Sequence, residues 1–271
     1  MQISTADSLL RDLLERELVS RTKAVDGDVL TVSAPERHWF RVLEKDGKQF
    51  FARGGGAGLE RERALYGAAG ALDVLPPLRV AEDDLLVFET FGEGYDIIEF
   101  HRSGRRVAEW LPALIGRALA LLHGLHVALP REQPARLRPA PGTAPAVAQA
   151  IARVAAGWTG ETPIHGNAGF ESIIVAPEPA RRIHLIGFDD ACLGDPAWDL
   201  VYIYEDYGPT TLKAFLDRYA PRNTHLLERK VRIYQQLNNV DYCLGLMAAG
   251  DEGSLRAAMA TLEAQASAGG A

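Results

Sequence analysis

Cysteine is scarce in this chain: Cys192 and Cys243 are its two cysteines, far apart in sequence and without a C-x-x-C partner. Neither a zinc site nor a disulfide framework is indicated, and Cys192 is expected to be a small buried residue. Long apolar runs are missing as well. No stretch approaches the ~20 residues that cross a bilayer, and the first residues are amphipathic and charged where a signal peptide has an apolar core. A cytoplasmic location with no membrane partner is therefore expected. Positive charge is in deficit, with 29 Lys and Arg against 36 Asp and Glu and a net charge of −7. Nucleic acid and anionic surfaces need clustered cations, so neither is expected as the main partner.

Apolar material is plentiful. With 271 residues and 47% hydrophobic content, the chain can build one large domain or two lobes sharing a cleft. Leu9, Leu10, Leu13, Leu14 and Leu18 recur at helical spacing among charged residues and predict an opening helix. Strands are predicted at Val29–Val32, Trp39–Leu43 and Gln49–Arg53, with Lys45-Asp46-Gly47-Lys48 as the turn between the last two. A helix follows over Leu59–Leu65, then a strand over Asp84–Phe91. Another helix begins near Arg106 and ends at His123-Gly124-Leu125-His126, where the two histidines serve packing and the helix end rather than a metal. Pro130–Pro145, dense in Pro, Ala and Arg, reads as loop. Thr211–Tyr219, Leu226–Leu246 and Leu255–Ala264 carry helical patterns, and the last six residues read as a frayed tail. Glu205, Asp206, Asp241 and Asp251 are scattered acids that either receive a cation or lie on a solvated surface.

The most informative stretch is Pro163–Leu200. It contains Ile164-His165-Gly166-Asn167 through Ser172, then Ile186-Gly187-Phe188-Asp189-Asp190, then Gly194-Asp195-Pro196-Ala197-Trp198-Asp199-Leu200. This resembles the catalytic segment of the aminoglycoside phosphotransferase superfamily, written H-G-D-x-x-x-x-N, an I-D-aromatic step and G-D-P-x-x-D-L. The resemblance implies an α+β, bilobal, protein-kinase-like fold. Its N-lobe, residues 1–91, would hold a small antiparallel sheet, and a mostly helical C-lobe, residues 92–271, would carry the segment 163–200.

Residue by residue, the resemblance places Asn167 where the family has its catalytic Asp. Ser172 falls where it has a magnesium-binding Asn, and Gly187 where it has the other magnesium-binding Asp. An amide has no useful basicity, and loss of a general base alone costs ~10²–10⁴-fold. A serine hydroxyl and a glycine do not replace anionic magnesium ligands. Arg53 falls at the family's phosphate-contacting lysine and Glu62 at its paired glutamate, a vestigial nucleotide site in which Arg lacks the compact charge of Lys. The loop Ser33–His38 contains a proline and a glutamate and makes a poor phosphate cradle. The glycines of Gly54–Gly58 read as a strand-to-helix connection. Asp195 and Asp199 match structural acids of the family.

The expectation is a degenerate member, a pseudokinase with no cofactor, binding a peptide, metabolite or protein partner in the interlobe cleft or on the C-lobe. One alternative is a kinase fold repurposed to modify peptides by elimination or thioether cyclisation, with His165 and Asp189 as proton carriers. Another is an atypical small-molecule phosphotransferase. There Asp189, two residues beyond Gly187 along an extended strand, holds the metal for ATP and Mg. Glu171 is a poorer stand-in for Ser172, because adjacent strand positions point to opposite faces.

Overall fold

A computed structural model describes residues 30–31, 39–43, 49–54, 58–69, 73–88, 95–96, 110–134, 137–139, 143, 145–169, 172–175, 182–219, 224–247 and 252–267. The expected opening helix, the Ser33–His38 loop, the 45–48 turn, Gly55 to Ala57, Glu171, Asp251 and the C-terminal tail lie outside these residues, as do the side chains of Asp206, Asp241 and Cys243. The chain forms two compact units, residues 1–129 with 167–191 and residues 130–166 with 192–271.

The first unit is built on a five-stranded antiparallel sheet of order β1-β2-β3-β5-β4, comprising β1 (Leu30–Thr31), β2 (Trp39–Leu43), β3 (Gln49–Gly54), β4 (Leu78–Ala81) and β5 (Leu85–Phe88). β3 is central, and Arg53 is paired with Trp39 on one side and Leu86 on the other. Every side chain of β5 is buried, which suits a four-residue apolar run covered on both faces. Helix α1 (Leu59–Ala69) buries Leu59, Glu62, Leu65 and Ala69, the three- and four-residue spacing of one helix face. Its Leu59 joins Leu86, Phe88 and Ile186 in a core cluster, with Tyr66 and Leu78 packed against it.

A second sheet in this unit has the order β6-β8-β9, from β6 (Tyr95–Asp96), β8 (Ile173–Val175) and β9 (Ile183–Leu185). Helix α2 (Leu111–His123) packs against β9. It buries Leu111, Ile115, Leu119 and Leu122, each worth ~1.5–3 kcal/mol of transfer free energy. Pro112 sits in its first turn, where a missing N–H costs nothing. This unit extends beyond residue 91. Leu185 N donates to Val74 O at 2.8 Å, and α2 and the segment 167–191 group with the sheet rather than with the later helices.

The second unit pairs β7 (Thr162–Ile164) with β10 (Cys192–Gly194) in antiparallel register. Four helices accompany them among the described residues: α3 (Pro145–Ala156), α4 (Pro196–Tyr219), α5 (Thr224–Met247) and α6 (Glu252–Ser267). α5 packs on both α4 and α6 and buries Leu227, Val231, Tyr234, Leu237 and Val240, a single stripe along one face. α3 is absent from the sequence-based expectation, because its alanine-rich sequence directly follows the proline-dense stretch. α4 begins inside the motif at Pro196, well before the expected Thr211. The fold is α+β, with small antiparallel sheets and a helical remainder, as expected.

Candidate functional site

The chemistry of the first unit gathers around Arg53 at the end of β3. Its side chain is 0% exposed, as is that of Glu62, and Arg53 Nε lies 2.8 Å from Glu62 Oε2. The approach angle falls short of a hydrogen bond, and neither Glu62 oxygen receives one among the described residues. Burial accordingly dominates: it pushes the Glu62 carboxyl up to about 8, the charge of Arg53 offsets only part of this, and Asp189 adds to it. One helical turn on, the Tyr66 hydroxyl is also buried without a hydrogen-bond partner among the described residues. Burial, with the nearby Glu62, holds its phenol above the usual value.

The other edge of the guanidinium belongs to Asp189. Arg53 Nη1 donates to Asp189 Oδ2 at 3.1 Å and Nη2 donates to Asp189 Oδ1, a two-pronged pairing suited to the planar arginine fork. Asp189 is the one member of the triad with solvent access, its side chain being 19% exposed. Gly58 makes the arrangement possible. A Cβ there would collide with the side chain and backbone of Asp189 and lie 2.7 Å from Arg53 Nη2. Arg61 Nη1 donates to Ala191 O at 3.2 Å, tying α1 to the same turn.

The expectation that Asp189 continues an extended strand from Gly187 is corrected. Gly187 has φ +78°, in the left-handed region, and Phe188–Asp190 form a single 3-10 turn. A chain that reverses its twist at a glycine loses the two-residue alternation of a strand. Asp189 is thereby delivered to Arg53. Sequence reading paired Arg53 with Glu62 but missed this third partner, which no local signal marks. Phe188 is fully buried and fixes the turn.

Ser172 Oγ donates to the backbone carbonyl of Asn167 at 2.8 Å, so this hydroxyl closes its own loop. A Cβ on Gly187 would meet Ser172 Oγ at 3.9 Å, an ordinary contact. These positions thus lie together, as the sequence frame implies, but they present an amide, a committed hydroxyl and a hydrogen. Among the described residues no group of three His, Cys, Asp or Glu side chains is placed to hold a metal. The residues present do not fit a magnesium–nucleotide site: one position has no donor atom, and both oxygens of the neighbouring carboxylate accept from a guanidinium.

In the second unit, Asp199 is fully buried and accepts from the backbone N–H groups of His165 at 2.7 Å and Gly166 at 2.9 Å. His165 is itself fully buried. Trp198 Nε1 donates to Gly166 O at 2.9 Å. Asp195 accepts from Ala197 N at 3.1 Å, Lys230 Nζ at 2.6 Å and Tyr234 Oη at 3.0 Å. Lys230 and Tyr234 carry no mark in the sequence; they come from α5, one turn apart on a helix face. Burial and the Asp195 charge raise the Tyr234 phenol above its usual value. Trp158, Trp198 and Tyr234 pack edge to face, with ring centroids 5.5–6.0 Å apart. Gly194 is needed beneath them, because a Cβ would come within 2.7 Å of Trp158. Cys192 is buried, its Sγ 3.6 Å from Glu132 O.

Solved structures with this fold are numerous among small-molecule kinases. A choline/ethanolamine kinase family protein from Mesorhizobium loti is 14% identical, with a TM-score of 0.62 over 94% of each chain. LicA, solved in complex with AMP, is 16% identical, with a TM-score of 0.61 over 96% of this chain and 98% of its own. The macrolide 2'-phosphotransferase MphH from Brachybacterium faecium is 20% identical, with a TM-score of 0.55 over 94% of this chain and 98% of its own. At these identities the likeness shows the fold. No curated protein matches the chain. The model of the phosphotransferase enzyme family (APH) matches residues 32–234, most of the chain, and to that family the chain belongs.

Proposed function

We propose that this chain is a degenerate phosphotransferase-family protein, a pseudokinase that has given up magnesium-dependent phosphoryl transfer and binds a peptide, metabolite or protein partner. Phosphoryl transfer in this fold depends on metal-borne charge neutralisation and an oriented hydroxyl. The observation that carries the reading is the fate of the nearest carboxylate. With Gly187 where an acid would stand, Asp189 has both oxygens on Arg53. Asn167 and Ser172 supply neither a base nor an anionic ligand. The acidic balance and the lack of a described helix able to cross a membrane go with a cytoplasmic protein without a nucleic-acid partner. His165, fully buried, and Asp189, held by Arg53, are poorly set as proton carriers for elimination or thioether closure, so the binding role is preferred.

Calorimetric titration with ATP, with and without magnesium, beside a phosphoryl-transfer assay on small alcohols and amines, tests the reading. No magnesium-dependent binding and no transfer are expected. Tight, magnesium-dependent ATP binding by the wild-type chain would overturn it.

A further inference from the structure

The Arg53 triad has unequal members. Arg53 and Glu62 are 0% exposed, whereas Asp189 is 19% exposed, so Asp189 is the partner that solvent can reach. The edge of the guanidinium that it covers carries Nη1 and Nη2, the two-pronged donor set that recognises carboxylate and phosphate oxygens alike. The left-handed Gly187 and the side-chain-free Gly58 both serve to bring this carboxylate onto that edge.

We infer that the Asp189 carboxylate is an internal occupant of an oxyanion site at Arg53, an autoinhibitory contact that a phosphate group must displace before it can bind this unit. The inference rests on the reading above, that the chain does not use a nucleotide in the ordinary way, and adds what keeps phosphate out. The exchange is one of like for like: one oxyanion leaves the two Nη donors and another takes them. While Asp189 stays, an incoming phosphate meets a negative charge at the place it would occupy, and like charges in contact repel. Glu62 still faces Arg53 when Asp189 is neutralised, and loss of the Asp189 charge removes one of the causes that raise the Glu62 carboxyl, so the buried pair and the unit's fold are kept.

The test is a magnesium-free titration of the wild type, Asp189→Asn and Asp189→Ser with inorganic pyrophosphate and, separately, with ATP. Both variants should melt cooperatively and bind pyrophosphate at least ~10-fold more tightly than the wild type. Gain with pyrophosphate alone assigns the site to free phosphate, and a larger gain with ATP assigns it to a nucleotide; either supports the inference. Equal affinities across the three proteins, or micromolar pyrophosphate binding by the wild type, would overturn it. So would loss of cooperative melting in both variants, since Asp189 would then be a structural partner and not a displaceable occupant. Magnesium dependence in the wild type bears on the proposed function instead, so the two ideas fail on different measurements.

Discussion

At the scale of the residue, the triad shows how burial decides a protonation state. Glu62 lies 2.8 Å from a guanidinium, yet its carboxyl is pushed up to about 8 because nothing hydrates it. A raised carboxyl pKa means that the folded chain holds a proton that the unfolded chain has released. The associated stability is fully present below the unfolded value of about 4.3 and is lost as pH rises through about 8. Urea unfolding of the wild type from acid to mildly alkaline pH should carry this falling component, and Glu62→Gln should remove it. His184, whose pKa is lowered chiefly by burial, contributes the opposite slope near its ordinary range. The difference between wild type and Glu62→Gln is therefore the quantity to read, and a difference that stays constant with pH would refute the assignment. Arg53 and Glu62 were legible from sequence because the resemblance places the family's phosphate-contacting lysine and its paired glutamate at these two positions. Their third partner stands 136 residues away from Arg53, where only the folded chain makes the connection.

At the scale of the element, the strands of the first sheet and helix α5 were readable from periodicity, whereas α3, the first half of α4 and the breaks in twist were not. Trp39–Leu43 and Thr224–Met247 lie where alternation and helical spacing put them. The turn at Gly187 reads as a strand in the sequence, because a single glycine at positive φ leaves no mark on a hydrophobic pattern. Gly208 tells a similar story in α4. It interrupts the helix with φ +79° and ψ 173° directly before Pro209, a conformation open to glycine and closed to most other residues. A Cβ there would meet no heavy atom within 4 Å, so its cost would be conformational and not steric. Gly208→Ala should lower the unfolding free energy by about 1–3 kcal/mol, measured from the midpoint of denaturant unfolding. An unchanged midpoint would mean that the break is not a fixed feature of the fold.

At the scale of the whole molecule, neither compact unit is a continuous piece of chain. Residues 167–191 return to the unit that holds residues 1–129, and they bring what its early residues lack. Ile186 completes the cluster of Leu59, Leu86 and Phe88, β8 pairs with the strand at Tyr95–Asp96 and carries β9 on its other side, and Asp189 covers the buried Arg53. A sequence read in order suggests a border where the first sheet ends, because local patterns say nothing about which later segment comes back. A fragment ending at residue 129 would keep every sheet-forming residue of β1 to β5 and lose all three contributions. The strand at Tyr95–Asp96 would then lose its pairing with β8, and a domain is held folded by only roughly 5–15 kcal/mol. The missing Ile186 side chain takes away ~1.5–3 kcal/mol of apolar burial. The fragment should therefore show no cooperative thermal transition by circular dichroism under conditions where the full chain shows one. A cooperative melt of the fragment, with a midpoint near that of the full chain, would show that the returning segment is carried by this unit and does not hold it together.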